Sequence, residues 1–133
     1  MKRVMFICST NSIYSQIAEG FAKYLGVGIV WVTSSGLEAS EVAPEAIKTM
    51  NEVGVDISRQ TSKALSQFHP ENFDIVISLC VSNPNLPPQW RTQERLEEWQ
   101  LDNLTEKPAL LSKVRDEIRE RVIHLIESLY QPH

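Results

Sequence analysis

The stretch that decides the fold is Val4-Met5-Phe6-Ile7-Cys8-Ser9-Thr10-Asn11-Ser12-Ile13-Tyr14-Ser15, near the start of the chain. An apolar run ends in a cysteine, small polar residues follow, and an amphipathic segment then continues to Gly26. This order predicts a strand, a tight loop and a helix that ends at the glycine. The Cys8 thiol would then lie at the N-terminus of a helix.

That position has chemical consequences for the loop. Backbone N–H groups from Ser9 to Ser15, together with the helix dipole, favour a thiolate at Cys8 and attract oxyanions. We therefore predict a reactive cysteine and an anion-binding loop made of Ser9, Thr10, Asn11, Ser12, Ile13, Tyr14 and Ser15. A small buried side chain at a strand end is the plainer interpretation of Cys8, since unpaired cysteines are commonly buried.

Strands and helices alternate along the rest of the chain. Further strands are predicted at 29–34, 73–79 and 95–101, and further helices at 44–53 and 110–129, with a short helix starting near 62–65. The last long helix has an apolar stripe at helical spacing. Such alternation predicts an α/β fold: one three-layer domain over residues 1–133, with a parallel sheet of about four strands and helices on both faces.

Composition narrows the function classes. The chain has 13 basic and 17 acidic residues and a net charge of -4, which argues against general nucleic-acid binding because no basic surplus neutralises phosphates. Apolar runs are too short to insert into a membrane, and the sequence predicts a cytoplasmic protein. Two cysteines form no disulfide framework. The three histidines lie apart from clustered acids or thiols, so neither a metal site nor another cofactor is predicted.

The loop resembles that of a known family. Cys8, Asn11, Ser12 and Ser15 match the Cys-x5-Arg-Ser loop of the low-molecular-weight tyrosine phosphatase superfamily. Further matches lie in the segments 15–20, 33–40, 54–58, 74–80 and 85–88. The chain thus resembles this superfamily over nearly its whole length, and most closely its arsenate reductase branch of cyanobacterial type. The resemblance implies a phosphatase I-like fold.

The resemblance also implies chemical roles, several of which this chain lacks. Cys8 corresponds to the nucleophile and Cys80 to the second cysteine of arsenate reductases. The other positions depart from the family: Ile13 replaces a frequent cysteine, Tyr14 the loop arginine, Ser82 the third cysteine, Asn103 the acid and Leu104 its proline. Asp102, beside the altered acid position, is the remaining candidate acid. As a buried strand-end residue without its relay partner, Cys80 has a structural interpretation about as good as the catalytic one.

These changes should lower the rate of phosphoryl transfer by large factors. An arginine that stabilises phosphoryl-transfer charge contributes roughly 10^3–10^5 in rate, and its bidentate contacts are strong hydrogen bonds. A positioned general acid contributes a further ~10^2–10^4. Tyr14 offers one neutral hydroxyl instead of a guanidinium. The sequence therefore argues against tyrosine phosphatase activity, and less clearly against arsenate reduction.

Two hypotheses follow, and the sequence favours the first by a small margin. In the first, the degenerate loop is non-catalytic or weakly catalytic and binds arsenate, phosphate, sulfate or a protein partner, with Tyr14 and Ile13 capping the pocket. In the second, the protein is an arsenate reductase that forms a Cys8–Cys80 disulfide. Glutathione with glutaredoxin, or thioredoxin, would then reduce that disulfide.

Overall fold

Four parallel strands form one sheet, in the order β2-β1-β3-β4. A computed structural model of the protein describes residues 1–79, 85–101 and 111–130. The strands are β1 (Lys2–Cys8), β2 (Val30–Gly36), β3 (Ile75–Leu79) and β4 (Leu96–Trp99). The helices are α1 (Tyr14–Leu25), α2 (Pro44–Asn51) and α3 (Leu111–Leu129), with short 3-10 helices at Leu65–Gln67, Pro70–Asn72 and Pro88–Trp90.

The register of β1 places the cysteine at one edge of the sheet. Cys8 is the last residue of β1 and lies opposite Gly36, the last residue of β2. On its other side β1 pairs with β3, from Val4 opposite Ile75 onwards. Because parallel strands end on the same side, the carboxyl ends of all four strands line the edge where Cys8 lies, which is where ligands bind in open α/β sheets.

Alternation along β1 divides the core in two. Val4 and Phe6 face a cluster that includes apolar residues of α1, α2 and α3, whereas Met5 and Ile7 face a second cluster that includes residues of the 3-10 helices. Side chains on a strand point alternately to opposite faces, so the four-residue run Val4–Ile7 contributes to both cores. The predicted α/β fold with a four-stranded parallel sheet and helices on both faces is confirmed.

Element ends differ from the prediction by a few residues. Helix α2 ends at Asn51 rather than at residue 53, because the N–H of Gly54 turns back to the Asn51 carbonyl at 3.1 Å and Gly54 adopts a φ of 78°. Strand β4 is shorter than predicted, since its ladder with β3 extends only from Leu96 to Trp99. In the part of the chain that the structure describes, no helix combines the length and apolarity needed to cross a membrane.

Candidate oxyanion site

The site lies at the connection between the end of β1 and the start of α1. Cys8 ends the strand with 5% of its surface exposed. Residues 9–13 form the connecting loop, and α1 starts at Tyr14. The structure therefore places the predicted loop residues together at the carboxyl edge of the sheet, with the cysteine at their base.

Every carbonyl oxygen from residue 8 to residue 13 accepts a hydrogen bond from its surroundings. The carbonyls of Cys8, Ser9 and Thr10 accept from the Leu37 N–H, the Glu38 N–H and the Ser62 hydroxyl, at 3.1, 3.1 and 3.2 Å. The carbonyls of Asn11, Ser12 and Ile13 accept from Gln16 Nε2, the Ala43 N–H and the Ile17 N–H, each at 3.0 Å. The scaffold therefore fixes the orientation of six successive peptide groups.

The fixed carbonyls determine where the N–H groups point. In a trans peptide the N–H points opposite to the carbonyl, so these donors are directed away from the groups that hold the loop. Within residues 1–79, 85–101 and 111–130, no N–H of residues 9–13 donates to another residue. Helix α1 also has neither a side-chain cap at Ile13 nor an acidic residue in its first turn. These features make a donor-rich concavity of the kind that binds anions.

Asn11 holds the loop in shape from inside. It is fully buried and has a φ of 54°, in the left-handed region. Its Nδ2 donates to Ser15 Oγ at 2.9 Å and to Ser34 Oγ at 2.8 Å, while its Oδ1 accepts from Gln16 Nε2 at 2.9 Å and from the Lys63 N–H at 2.8 Å. Asparagine tolerates this backbone conformation better than most residues, and its amide group is fully used here.

A buried carboxylate supports this network from behind. Glu19 Oε1 accepts from the Ser34 hydroxyl at 2.5 Å, and its Oε2 pairs with Lys23 Nζ at 2.5 Å. Lys63 Nζ lies 3.7 Å from Glu19 Oε1 and donates to the Thr61 carbonyl at 2.6 Å. Burial lowers the pKa of Lys63 below its ordinary value, and the attraction of Glu19 only partly opposes this. Both ammonium groups therefore balance the negative charge of the Glu19 carboxylate, which lies behind the loop.

Gly36 permits the close approach of the loop to β2. A β-carbon at this residue would lie 2.5 Å from the Glu38 carbonyl oxygen, 2.6 Å from the Asn11 nitrogen and 2.7 Å from the Thr10 carbonyl carbon. All three are backbone atoms, which cannot rotate away. Sequence reasoning gave Gly36 no role, although a glycine at a strand end signals a close backbone contact.

Tyr14 and Ile13 occupy the entrance to the helix. Both side chains are half-buried and pack against the main apolar cluster. Neither side chain can supply a positive charge to the loop at neutral pH. The loop thus presents the N–H donors of residues 9–13 but lacks the cation that its sequence resemblance predicts at residue 14.

The remaining predicted chemical positions lie in two other segments of the chain, 80–84 and 102–110. Cys80, Ser82, Asp102, Asn103 and Leu104 lie outside the described residues. Among the residues that the structure does describe, no group of three or more histidine, cysteine or acidic side chains is arranged to hold a metal ion.

Several known proteins are similar to this chain in sequence and in fold. The model of the family "Low molecular weight phosphotyrosine protein phosphatase" matches residues 3–132. A glutaredoxin arsenate reductase from Synechocystis sp. is 51% identical over 130 residues, covering 97% of this chain and 99% of that protein. An arsenate reductase from Bacillus subtilis is 38% identical and covers 96% of both chains. A solved arsenate reductase in its phosphate-binding state is 50% identical, with a TM-score of 0.88 and coverage of 98% of this chain and 100% of that one.

Proposed function

Because this chain belongs to the low-molecular-weight phosphotyrosine protein phosphatase family, we propose that residues 8–15 bind a tetrahedral oxyanion such as arsenate, phosphate or sulfate. The chain is similar to arsenate reductases over nearly its whole length. Without a loop arginine it would act as a non-catalytic or weakly catalytic member of this group.

One observation carries the binding proposal. The six scaffold-held carbonyls orient the loop peptides, and the N–H groups of residues 9–13 have no other acceptor in the described part of the chain. Such donors are fixed before a ligand arrives, so binding does not have to order them. An oxyanion with several acceptor oxygens satisfies several of these N–H groups at once.

The weak-catalysis proposal rests on charge. An arginine on a transferring oxyanion contributes roughly 10^3–10^5 in rate, and Tyr14 brings no charge to replace it. The ammonium groups of Lys23 and Lys63 are paired with Glu19. The oxyanion would therefore be held by peptide dipoles and would receive little extra stabilisation as its charge develops.

Arsenate reduction is the second candidate, and the 51% identity to a glutaredoxin arsenate reductase favours it. In this scheme the Cys8 thiolate attacks arsenate and displaces water. Cys80 then attacks the Cys8 sulfur, and arsenite leaves with the electron pair while a Cys8–Cys80 disulfide forms. Glutathione with glutaredoxin, or thioredoxin, would supply the two electrons that restore the thiols in a reducing cytoplasm.

Alkylation of Cys8 tests the binding proposal. The Cys80→Ser protein would be treated with neutral iodoacetamide, and modification would be followed by mass with and without millimolar phosphate. We expect phosphate to slow alkylation, and chloride at the same ionic strength to leave the rate unchanged. Equal rates in phosphate and chloride would refute an oxyanion site at Cys8.

A measurement of arsenate turnover distinguishes the binding proposal from the arsenate reductase proposal. The parent protein and Cys80→Ser would be incubated with arsenate, glutathione, glutaredoxin and a reducing system, and arsenite would be quantified. The binding proposal predicts little arsenite from either protein. Sustained turnover by the parent that Cys80→Ser abolishes would establish the reductase instead.

A further inference from the structure

A second surface lies at the far end of α1 from the oxyanion loop. A hollow of about 320 Å³ opens there between α1, the turn after α2 and α3, with apolar side chains of Phe21, Tyr24, Leu25, Val53 and Val55. Tyr24 lies ten residues along α1 from Tyr14, or about 15 Å at the helical rise. The hollow is thus a separate feature from the site described above.

The hollow combines an apolar recess with a projecting aromatic ring. Phe21 and Val55 are buried at its base, whereas Tyr24 is 64% exposed and Val53 is 39% exposed at its margin. Exposed apolar side chains that border a recess are typical of interaction sites, and aromatic residues are enriched in interface cores. A knob and a hole therefore lie side by side on one surface.

Charges on the same surface are complementary to each other. Asp116 and Arg119, three residues apart on α3, both line the hollow. The Arg119 guanidinium makes no ion pair or hydrogen bond with any residue that the structure describes. The Asp116 carboxylate pairs with Arg115 at 2.9 Å, and 63% of its side chain remains accessible to solvent.

We infer that a second copy of this chain occupies the hollow, in a two-fold symmetric dimer. A two-fold interface brings the same patch of both copies together, so residue i meets residue j while j meets i. Tyr24 of each copy would enter the hollow of its partner, and Arg119 would face the Asp116 carboxylate of the partner across antiparallel α3 helices. Both oxyanion loops would stay open, since they lie at the opposite ends of the α1 helices.

Sedimentation equilibrium tests this inference on the full chain, with reductant present to prevent disulfide-linked dimers. We expect the weight-average mass to rise from monomer towards dimer between about 5 and 500 μM protein. Arg119→Asp should abolish the rise, because it places two carboxylates in contact. The double variant Asp116→Arg with Arg119→Asp should restore it, which a simple loss of folding would not.

Tyr130→Ala is the matched control for Tyr24→Ala. Tyr130, another exposed aromatic residue, does not line the hollow, so Tyr130→Ala should dimerise like the parent and Tyr24→Ala should not. A parent protein that remains monomeric at 500 μM would overturn the inference. So would a dimer that persists unchanged in Arg119→Asp.

Discussion

Asn11 Nδ2 donates a 2.8 Å hydrogen bond to Ser34 Oγ, and this contact ties the oxyanion loop to the second strand of the sheet. The same hydroxyl donates to the buried Glu19 carboxylate at 2.5 Å. One serine therefore connects the left-handed residue of the loop to a negative charge inside the domain. The shape of this loop and the stability of the fold therefore depend on the same buried contacts.

Replacing this serine should lower stability. Ser34→Ala leaves an Asn11 donor without its acceptor and removes a donor from Glu19, both in the interior. Buried polar groups left unsatisfied cost roughly 1–3 kcal/mol, and we expect a loss of that size in urea unfolding. Ser66→Ala, at an exposed residue, serves as the control and should change the free energy of unfolding very little. Equal stabilities for the two variants would contradict the network.

Gly36→Ala should damage the anion site. The added methyl group would collide with loop backbone at Asn11 and Thr10, so we expect phosphate to lose most of its protection of Cys8 from alkylation. Forced overpacking also costs about 1–3 kcal/mol in stability.

Gly28→Ala is the matched control for that variant. Gly28 has a φ of 79° and no atom within 4 Å of an added β-carbon, so alanine there suffers backbone strain of about 1–2 kcal/mol without touching the loop. Phosphate protection should survive in Gly28→Ala. If both variants lost protection equally, general destabilisation rather than loop geometry would be the cause.

Tyr14→Arg should strengthen oxyanion binding. A guanidinium adds charge-assisted, bidentate hydrogen bonds that a phenol cannot make, and we expect phosphate affinity to rise at least ~10-fold by calorimetry. Tyr14→Phe removes only the hydroxyl and should bind phosphate like the parent. An unchanged affinity in Tyr14→Arg would show that the aromatic ring does not cap the pocket that the arginine serves.

Lys63 should make the free energy of unfolding vary with pH in the alkaline range. Its pKa in the folded protein is lowered from 10.5, mainly by burial, so between that lowered value and 10.5 the unfolded chain binds more protons. The free energy of unfolding therefore rises with pH across this window, because deprotonation relieves the burial cost in the folded state. Below this pH range Lys63 is protonated in both states, and the full cost of burying its ammonium lowers the stability of the folded protein.

A comparison with Lys63→Met isolates this effect. The difference in unfolding free energy, parent minus variant, should increase from pH 8 to pH 10 in urea titrations, while contributions of other groups cancel. A flat difference for Lys63→Met would mean that its ammonium is not destabilised by burial.

The sequence predicted the fold and the strand–loop–helix segment around Cys8 because both depend on local signals. An apolar run ending at Cys8, followed by a helical apolar period, is visible within one stretch of chain. The network around Asn11 is not visible in this way, since Ser34 and Lys63 lie 23 and 52 residues away along the chain. The length of β4 was missed for a similar reason, as its pairing with β3 sets its ends.

Peptide groups do not titrate in the range where proteins fold. An anion held by the amides of residues 9–13 therefore meets the same donors at pH 5 and at pH 9, unlike one clamped by a histidine or a lysine. Any pH profile measured for oxyanion binding here would report the ionisation of the anion itself and of the thiol beneath it. The charge state of the bound anion, rather than that of the loop, would therefore determine how binding varies with pH.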